Sequence, residues 1–233
     1  MKDKIKNELL KRVGNTWYDK FIYVFKIVVI VLSIAFTLEY FMGRNALVNS
    51  YPAFLWLLSG IVPVIYMFDT FKRSVSLKSV SDFNVTNISG FILFGIITFI
   101  EIVIFRLYGF SIDVYYLQIL LFMMFTFIFV EIVSFIIMNI CRLCPKMGKV
   151  IEILLIPLFC FSGILFFFNE VHNRYLKMFL RVNPISYLVE GFRDSLIYKK
   201  WFLYAPHKFA YFMIICLLLL LVGFVLNRIG KKK

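Results

Sequence analysis

Apolar runs of about twenty residues, separated by short polar stretches, recur along the whole chain. At a rise of about 1.5 Å per residue, such a run coiled as a helix crosses the roughly 30 Å hydrocarbon core of a bilayer. The pattern predicts six spans, at about residues 21–41, 52–71, 88–107, 115–140, 150–168 and 209–226. Gly60 and Pro63 interrupt the second, a bend that is tolerated where neighbouring helices or water satisfy the freed backbone groups. Ahead of the first span, Ile5, Leu9, Leu10, Val13 and Trp17 fall roughly on one face among Lys2, Lys4, Lys6, Lys11, Arg12 and Lys20. That spacing predicts a basic amphipathic helix over residues 1–20, lying on the inner membrane surface ahead of a membrane domain over 21–233.

The pattern changes character between the fifth and sixth spans. The apolar phase ends at Asn169–Glu170, and two short amphipathic segments follow, at 171–181 and 184–198. In the second, Ile185, Leu188, Val189, Phe192 and Leu196 share one helical face, Asn183 is placed to cap, and Pro184 stands in the first turn. About 15 residues of helix rise only about 22 Å, too short to cross. The segment therefore lies on the outer leaflet, or dips in and returns while packed against other helices. The fold class is an all-α membrane protein with six transmembrane helices, a cytoplasmic amphipathic N-terminal helix and two short re-entrant or interfacial outer helices.

Composition agrees: 62% of residues are hydrophobic and the mean hydropathy is +0.88, the polytopic membrane signature. A net charge of +13 raises nucleic acid as a partner, but position decides against it. The segments 1–20, 72–87, 141–149 and 227–233 hold 6, 3, 3 and 4 basic residues, whereas the two short outer loops contribute Arg44, with Arg106 at a span edge. That asymmetry places both termini in the cytoplasm and the chain in the cell membrane. The stretch 169–208 carries seven basic residues and departs from the rule. No cleavable signal peptide is visible, since the first 20 residues are too polar.

Candidate chemistry is sparse. Cys141-x-x-Cys144 has no second half for a zinc site, the two histidines are His172 and His207, and neither a nucleophile elbow nor H-E-x-x-H occurs, so no metal and no catalysis are expected. No G-x-x-x-x-G-K-[ST] occurs either; any ATP-driven work needs an engine in another subunit, pushing on 72–87. Glu101 and Glu131 fall inside spans and read best as interhelical hydrogen-bonding groups rather than a proton relay. Asp69 pairs with Lys72 and Arg73 along its helix. Aromatics form 19% of the chain and serve chiefly as bulk and interfacial anchors. Trp56, Tyr66 and Phe71 on the second span, with Phe159, Phe166 and Phe167 on the fifth, are candidates for a path along which sugar rings slide. Glu190 and Arg193, i,i+3 partners on a helix too short to span, read as a charged element closing the outer mouth of a pore.

Three stretches carry a resemblance: LLSGIVPVIYMFDTFKRS at 57–74, NPISYLVEGFRDS at 183–195 and PLFCFSGILFF at 157–167. With the six spans and the short outer helices, they resemble the permease subunits of ATP-binding-cassette polysaccharide exporters, which handle lipid-linked O-antigen, teichoic acid and capsular polymers. The resemblance implies a homodimer bound to two separate ATPase subunits, with ATP and Mg held by those partners and no cofactor in this chain. It implies a lipid-linked glycan substrate and membrane lipids as surroundings. Lys72, Arg73, Lys78 and Trp17 would contact the ATPases. Asn183, Pro184, Tyr187, Glu190, Phe192 and Arg193 would form the outer gate. Alternatives are a related permease for drugs, lipids or peptides, or a membrane scaffold with no ATPase.

Overall fold

Hydropathy marks where a chain meets lipid, whereas capping and proline chemistry mark where its helices stop, and the two boundaries differ here. The computed structural model describes residues 2–13, 47–48, 51–77, 79–107, 116–164, 173–198, 200–201, 203 and 205–230. Helix α1 covers Lys2–Val13, and a two-residue antiparallel ladder, β1 (Leu47–Val48) with β2 (Tyr51–Pro52), leads into α2, Ala53–Ser74. Next come α3 (Val80–Leu107), α4 (Tyr116–Leu143) and α5 (Met147–Cys160). Two short helices, α6 (Arg174–Val182) and α7 (Pro184–Arg193), follow; a π-helical turn, Asp194–Tyr198, continues α7 before α8, Pro206–Gly230. Among the described residues, α3, α4 and α8 are long and apolar enough to cross a membrane. The span expected at 21–41 lies outside them.

Helix boundaries depart from the expected ones at the end of the bundle that carries α1. The expected spans stop at 71 and resume at 88, yet α2 runs to Ser74 and α3 begins at Val80. Polar side chains there extend the helices beyond the apolar phase instead of unwinding them. Lys72 and Arg73 occupy the last turn of α2, where cations complement the exposed carbonyls. Ser79 then starts α3: its hydroxyl accepts from the Asp82 backbone N–H at 3.0 Å and donates to the Asp82 carboxylate at 2.6 Å. Among the described residues, only 75–77 and Ser79 separate the two helices.

The fifth expected span, 150–168, is corrected in the other direction. Helix α5 has 14 residues, about 21 Å of rise, and stops at Cys160. Pro157 removes a backbone donor from its final turn, and Phe161 to Ile164 continue as turns, with Gly163 at φ 82°. Residues 165–168 of the expected span lie outside the described set.

Helix α2 is the hub, packing against α3, α4, α5 and α7. Leu57, Met67 and Phe71 are fully buried on it, meeting Phe94 of α3, Phe122 of α4 and Phe192 of α7 in one continuous core. Lipid tails are as apolar as these side chains, so the gain over a lipid-facing position is close packing more than removal from water. Helices α4 and α8 run parallel, with Phe125 and Phe129 against Phe212, then Phe135 against Gly223, then Leu143 near Gly230. Only Phe212, Cys216 and Gly223 of α8 are buried; its remaining apolar surface faces outward, as a lipid-facing helix requires.

Candidate functional site

The NPISYLVEGFRDS stretch folds into α7 for the local reasons its residues dictate. Asn183 is extended at φ −74° and ψ 114°, its Oδ1 accepts from the Ile185 N–H at 3.0 Å, and Pro184 takes the first helical position. The predicted apolar face is the buried face: Ile185, Leu188, Val189 and Phe192 have no exposed surface. Phe192 reaches Phe94, midway along α3, with ring centroids 5.4 Å apart. Tyr187 stacks on Phe212 of α8 at 5.0 Å. Of the two placements open to so short a helix, α7 takes the inserted one, packed among α2, α3, α4 and α8. Gly191 permits this, because a Cβ there would fall 1.9 Å from the Phe122 ring of α4.

Both ends of α7 repair the broken end of α5. Besides capping its own helix, Asn183 donates through Nδ2 to the carbonyls of Leu158 at 3.0 Å and Phe161 at 3.1 Å. At the opposite end, Arg193 is only 4% exposed. Its Nη1 donates to the Gly163 carbonyl at 2.7 Å, Nη2 to Ile164 at 3.1 Å, and Nε to Trp56 of α2 at 3.3 Å. The guanidinium also lies 3.6 Å from the centre of the Trp56 ring. Gly60 makes the room: a Cβ there would sit 2.4 Å from Nη2. A buried charge is costly unless its donors are used, and a planar fork suits carbonyls presented by a turn that has left the helical ladder. Arg193 thereby fastens α7, α2 and the α5 terminus into one unit.

The expected Glu190–Arg193 partnership is displaced by this arrangement. Glu190 forms an ion pair with Lys208 of α8 at 2.5 Å, while Arg193 turns to the carbonyls. Asp194, at the head of the π turn, titrates at about 6: burial and the Glu190 carboxylate raise it, against the opposing pull of Lys200, Lys208 and Arg193. Beside α7 a cavity of about 600 Å³ opens between the end of α6 and the start of α8.

At the α1 end, Arg73 donates to both carboxylate oxygens of Asp69 at 3.1 Å and reaches Glu8 of α1 at 3.6 Å. All three side chains keep partial contact with solvent. Lys72 is exposed next to them; Lys78 and Trp17 lie outside the described residues. Helix α1 packs along α3, and through Glu8 it touches the corner formed by α2.

Trp56, Tyr66, Phe71 and Phe159 are packed within the protomer: Tyr66 stacks on Phe94 at 4.8 Å, and Phe71 lies 5.9 Å from Phe159. Phe166 and Phe167 lie outside the described residues. Glu101 is buried with both carboxylate oxygens lacking a hydrogen bond, so the structure does not use it as the interhelical hydrogen-bonding group expected of it. Among the described residues no three His, Cys, Asp or Glu gather as a metal cluster. Sequence reasoning missed Gly163 and Lys208, and it read Gly60 as a break in the second span rather than as room for Arg193. The glycines are visible as residue types, but which side chain approaches them is not.

Residues 8–197 match the model of a family described as ABC-2 type transporter. That match extends from α1 to the π turn after α7 and so includes both the Arg73 corner and the Arg193 clamp. No curated protein matches the chain.

Proposed function

The chain belongs to the ABC-2 type transporter family, and from that premise we propose that it is the membrane subunit of an exporter for a lipid-linked polysaccharide of the teichoic acid, O-antigen or capsule type. Membership makes it a multi-pass permease that pairs with an ATP-binding-cassette ATPase. In the proposed assembly, two copies with six crossings each meet in the cytoplasmic membrane, termini in the cytoplasm, and two separate ATPase chains bind ATP and Mg. Lys72, Arg73, Lys78 and Trp17 receive the ATPase stroke at the α1 end. The α6–α7 hairpin, with Asn183, Pro184, Tyr187, Glu190, Phe192 and Arg193, is the gate at the opposite end.

One observation supports this reading above the others: α7 is joined to α2 and to the end of α5 through Arg193 and Asn183. A stroke that tilts α2 at Arg73 therefore moves the hairpin with it, linking one end of the bundle to the other through packed helices. Trp56, Tyr66, Phe71 and Phe159 become reachable by a sugar ring only when α2 and α5 part from their neighbours.

The test is depletion of the protein in its own cell, followed by extraction of lipid-linked glycans from the two membrane leaflets. Polymer accumulating on the cytoplasmic side, with restoration by the wild-type chain, is the expected result. Unchanged glycan distribution with loss of export of another substrate class would replace the polysaccharide by that class.

A further inference from the structure

The cavity beside α7 has walls whose charges are already matched. Of the two cations along it, Lys208 of α8 is ion-paired with Glu190 of α7 at 2.5 Å, and Arg181 of α6 has a partner of its own. The Ser186 and Tyr187 hydroxyls are fully buried and present no surface to it. An anion therefore finds no unmatched cation, and a neutral guest suits this wall better. Polar capacity remains all the same. One carboxylate oxygen of Glu190 takes the Lys208 bond while the other makes no hydrogen bond among the described residues, and both side chains keep partial contact with solvent. His207 is exposed on the same lining and makes no hydrogen bond there. The apolar part of the wall includes exposed Val182 of α6 and the Tyr211 ring of α8, which is 37% exposed. The Tyr211 hydroxyl donates to the Val182 carbonyl at 2.9 Å, fixing the ring between α6 and α8. No aromatic ring or cation among the described residues stacks on it.

We propose that this cavity is a saccharide subsite, seating a neutral pyranose ring with its C–H face on Tyr211 and its hydroxyls on Glu190, Lys208 and His207. A sugar ring has the same division as the wall: C–H groups on its face, and hydroxyls at its edge that each donate and accept. The face of an aromatic ring is electron-rich and attracts polarised C–H groups. The Glu190–Lys208 pair sets an acceptor beside a donor, so neighbouring hydroxyls are both served without bringing a charge into the cavity. A volume of about 600 Å³ is that of a small-ligand site, with room for a sugar unit but not for a polymer. The guest's identity rests on the polysaccharide reading; the site adds the place where a unit is held, beside the hairpin that forms the gate.

The experiment uses the full chain in octaethylene glycol monododecyl ether, a detergent without a sugar headgroup, and reads binding by saturation-transfer NMR. Maltose, lactose and di-N-acetylchitobiose are the probes; sorbitol, which has the hydroxyls but no ring, and glucuronate, which has the ring and a charge, are the controls. Saturation is expected to reach the ring C–H protons of at least one disaccharide, and to reach either control about fivefold less. Tyr211→Ala should weaken the disaccharide signal about fivefold, whereas Tyr211→Phe, which keeps the platform, should retain at least half of it. Val182→Trp leaves the backbone carbonyl in place and fills the cavity, and should abolish the signal; melting temperatures verify that each variant is folded. Silence from all three disaccharides, an equal signal from sorbitol or glucuronate, a signal unchanged in both Tyr211→Ala and Val182→Trp, or displacement of the sugars by dioleoylglycerol would each overturn the proposal. Cytoplasmic glycan build-up on depletion, with no disaccharide signal, removes this site and leaves the export reading standing. A disaccharide signal with export of another substrate class does the reverse.

Discussion

Two arginines stand at opposite ends of α2, and the protein treats them differently. Arg193 is buried and spends its donors on backbone carbonyls of two other segments. Arg73 keeps its side chain 30% exposed and bonds to carboxylates on its own helix and on α1. A guanidinium dissolved in protein fixes geometry, because removing it takes three donors from carbonyls of two other segments at once. A guanidinium in contact with water adds little to stability, since solvent replaces whatever partner departs. The first suits a rivet and the second a contact that another protein can take over.

The sharpest way to break this contrast is Arg193→Ala, expected to cost about 3–5 kcal/mol through the loss of three charge-assisted hydrogen bonds and of the packed guanidinium. Thermal unfolding can be followed with a thiol-reactive dye once the exposed Cys144 is replaced by serine, because Cys141 and Cys216 are buried in the folded chain. Arg193→Lys should recover only part of the loss, as the three donors of an ammonium radiate from one nitrogen and cannot span carbonyls reached from Nε, Nη1 and Nη2. A melting temperature within a degree of wild type for Arg193→Ala would remove the rivet.

Gly191→Ala comes next, at about 2 kcal/mol, because its methyl would overlap the Phe122 ring, which is itself wedged against Phe125 and Tyr187. The same dye assay reads it, and a neutral result would mean that α7 can lift away from α4 freely.

Asp194 sharpens the comparison through pH. Its carboxyl titrates at about 6 in the folded protein against an ordinary 3.8, so the folded state binds the proton more tightly. The associated stability is complete below about pH 3.8 and is lost as pH rises through about 6. Asp194→Asn should therefore flatten the melting profile between pH 4 and 6.5. Above pH 6.5 the variant should exceed wild type by roughly 1–2 kcal/mol. An unchanged slope would show that the buried end is wetter than its packing implies.

Arg73→Ala is expected to have the smallest effect on folding, under about 1 kcal/mol. Its signature is instead weaker capture of the ATPase in pull-down, most clearly when combined with Lys72→Ala. Unaffected capture would leave the Arg73 corner with no more than a local role.

The sequence revealed α7 in good detail because its determinants are local: a cap residue, a proline at the first position, and apolar residues three and four apart. Insertion of α7 among the helices was one of two readings that its length allowed. Packing chose between them, through the absence of a side chain at Gly191. Arg193 was legible as an unusual charge but not as a clamp. Two of its three partners are carbonyls freed by the early end of α5 at Cys160, and hydropathy carried that span on to 168. Glu190 likewise had a plausible neighbour three residues away, while its partner Lys208 belongs to a helix that closes in only in the folded chain. Backbone acceptors and distant cations leave no periodic trace.

The parallel contact of α8 with α4 ties the hairpin to the thickness of its surroundings. Twenty-five residues of α8 rise about 37 Å, more than a typical bilayer's hydrocarbon depth, so the helix must lean or protrude. Its lean is limited by the glycine seat of Gly223 on Phe135, and its first turn is tethered to α7 through Lys208. A thinner or thicker host membrane therefore loads the hairpin mechanically, as a change of plank length loads the hinge at its end.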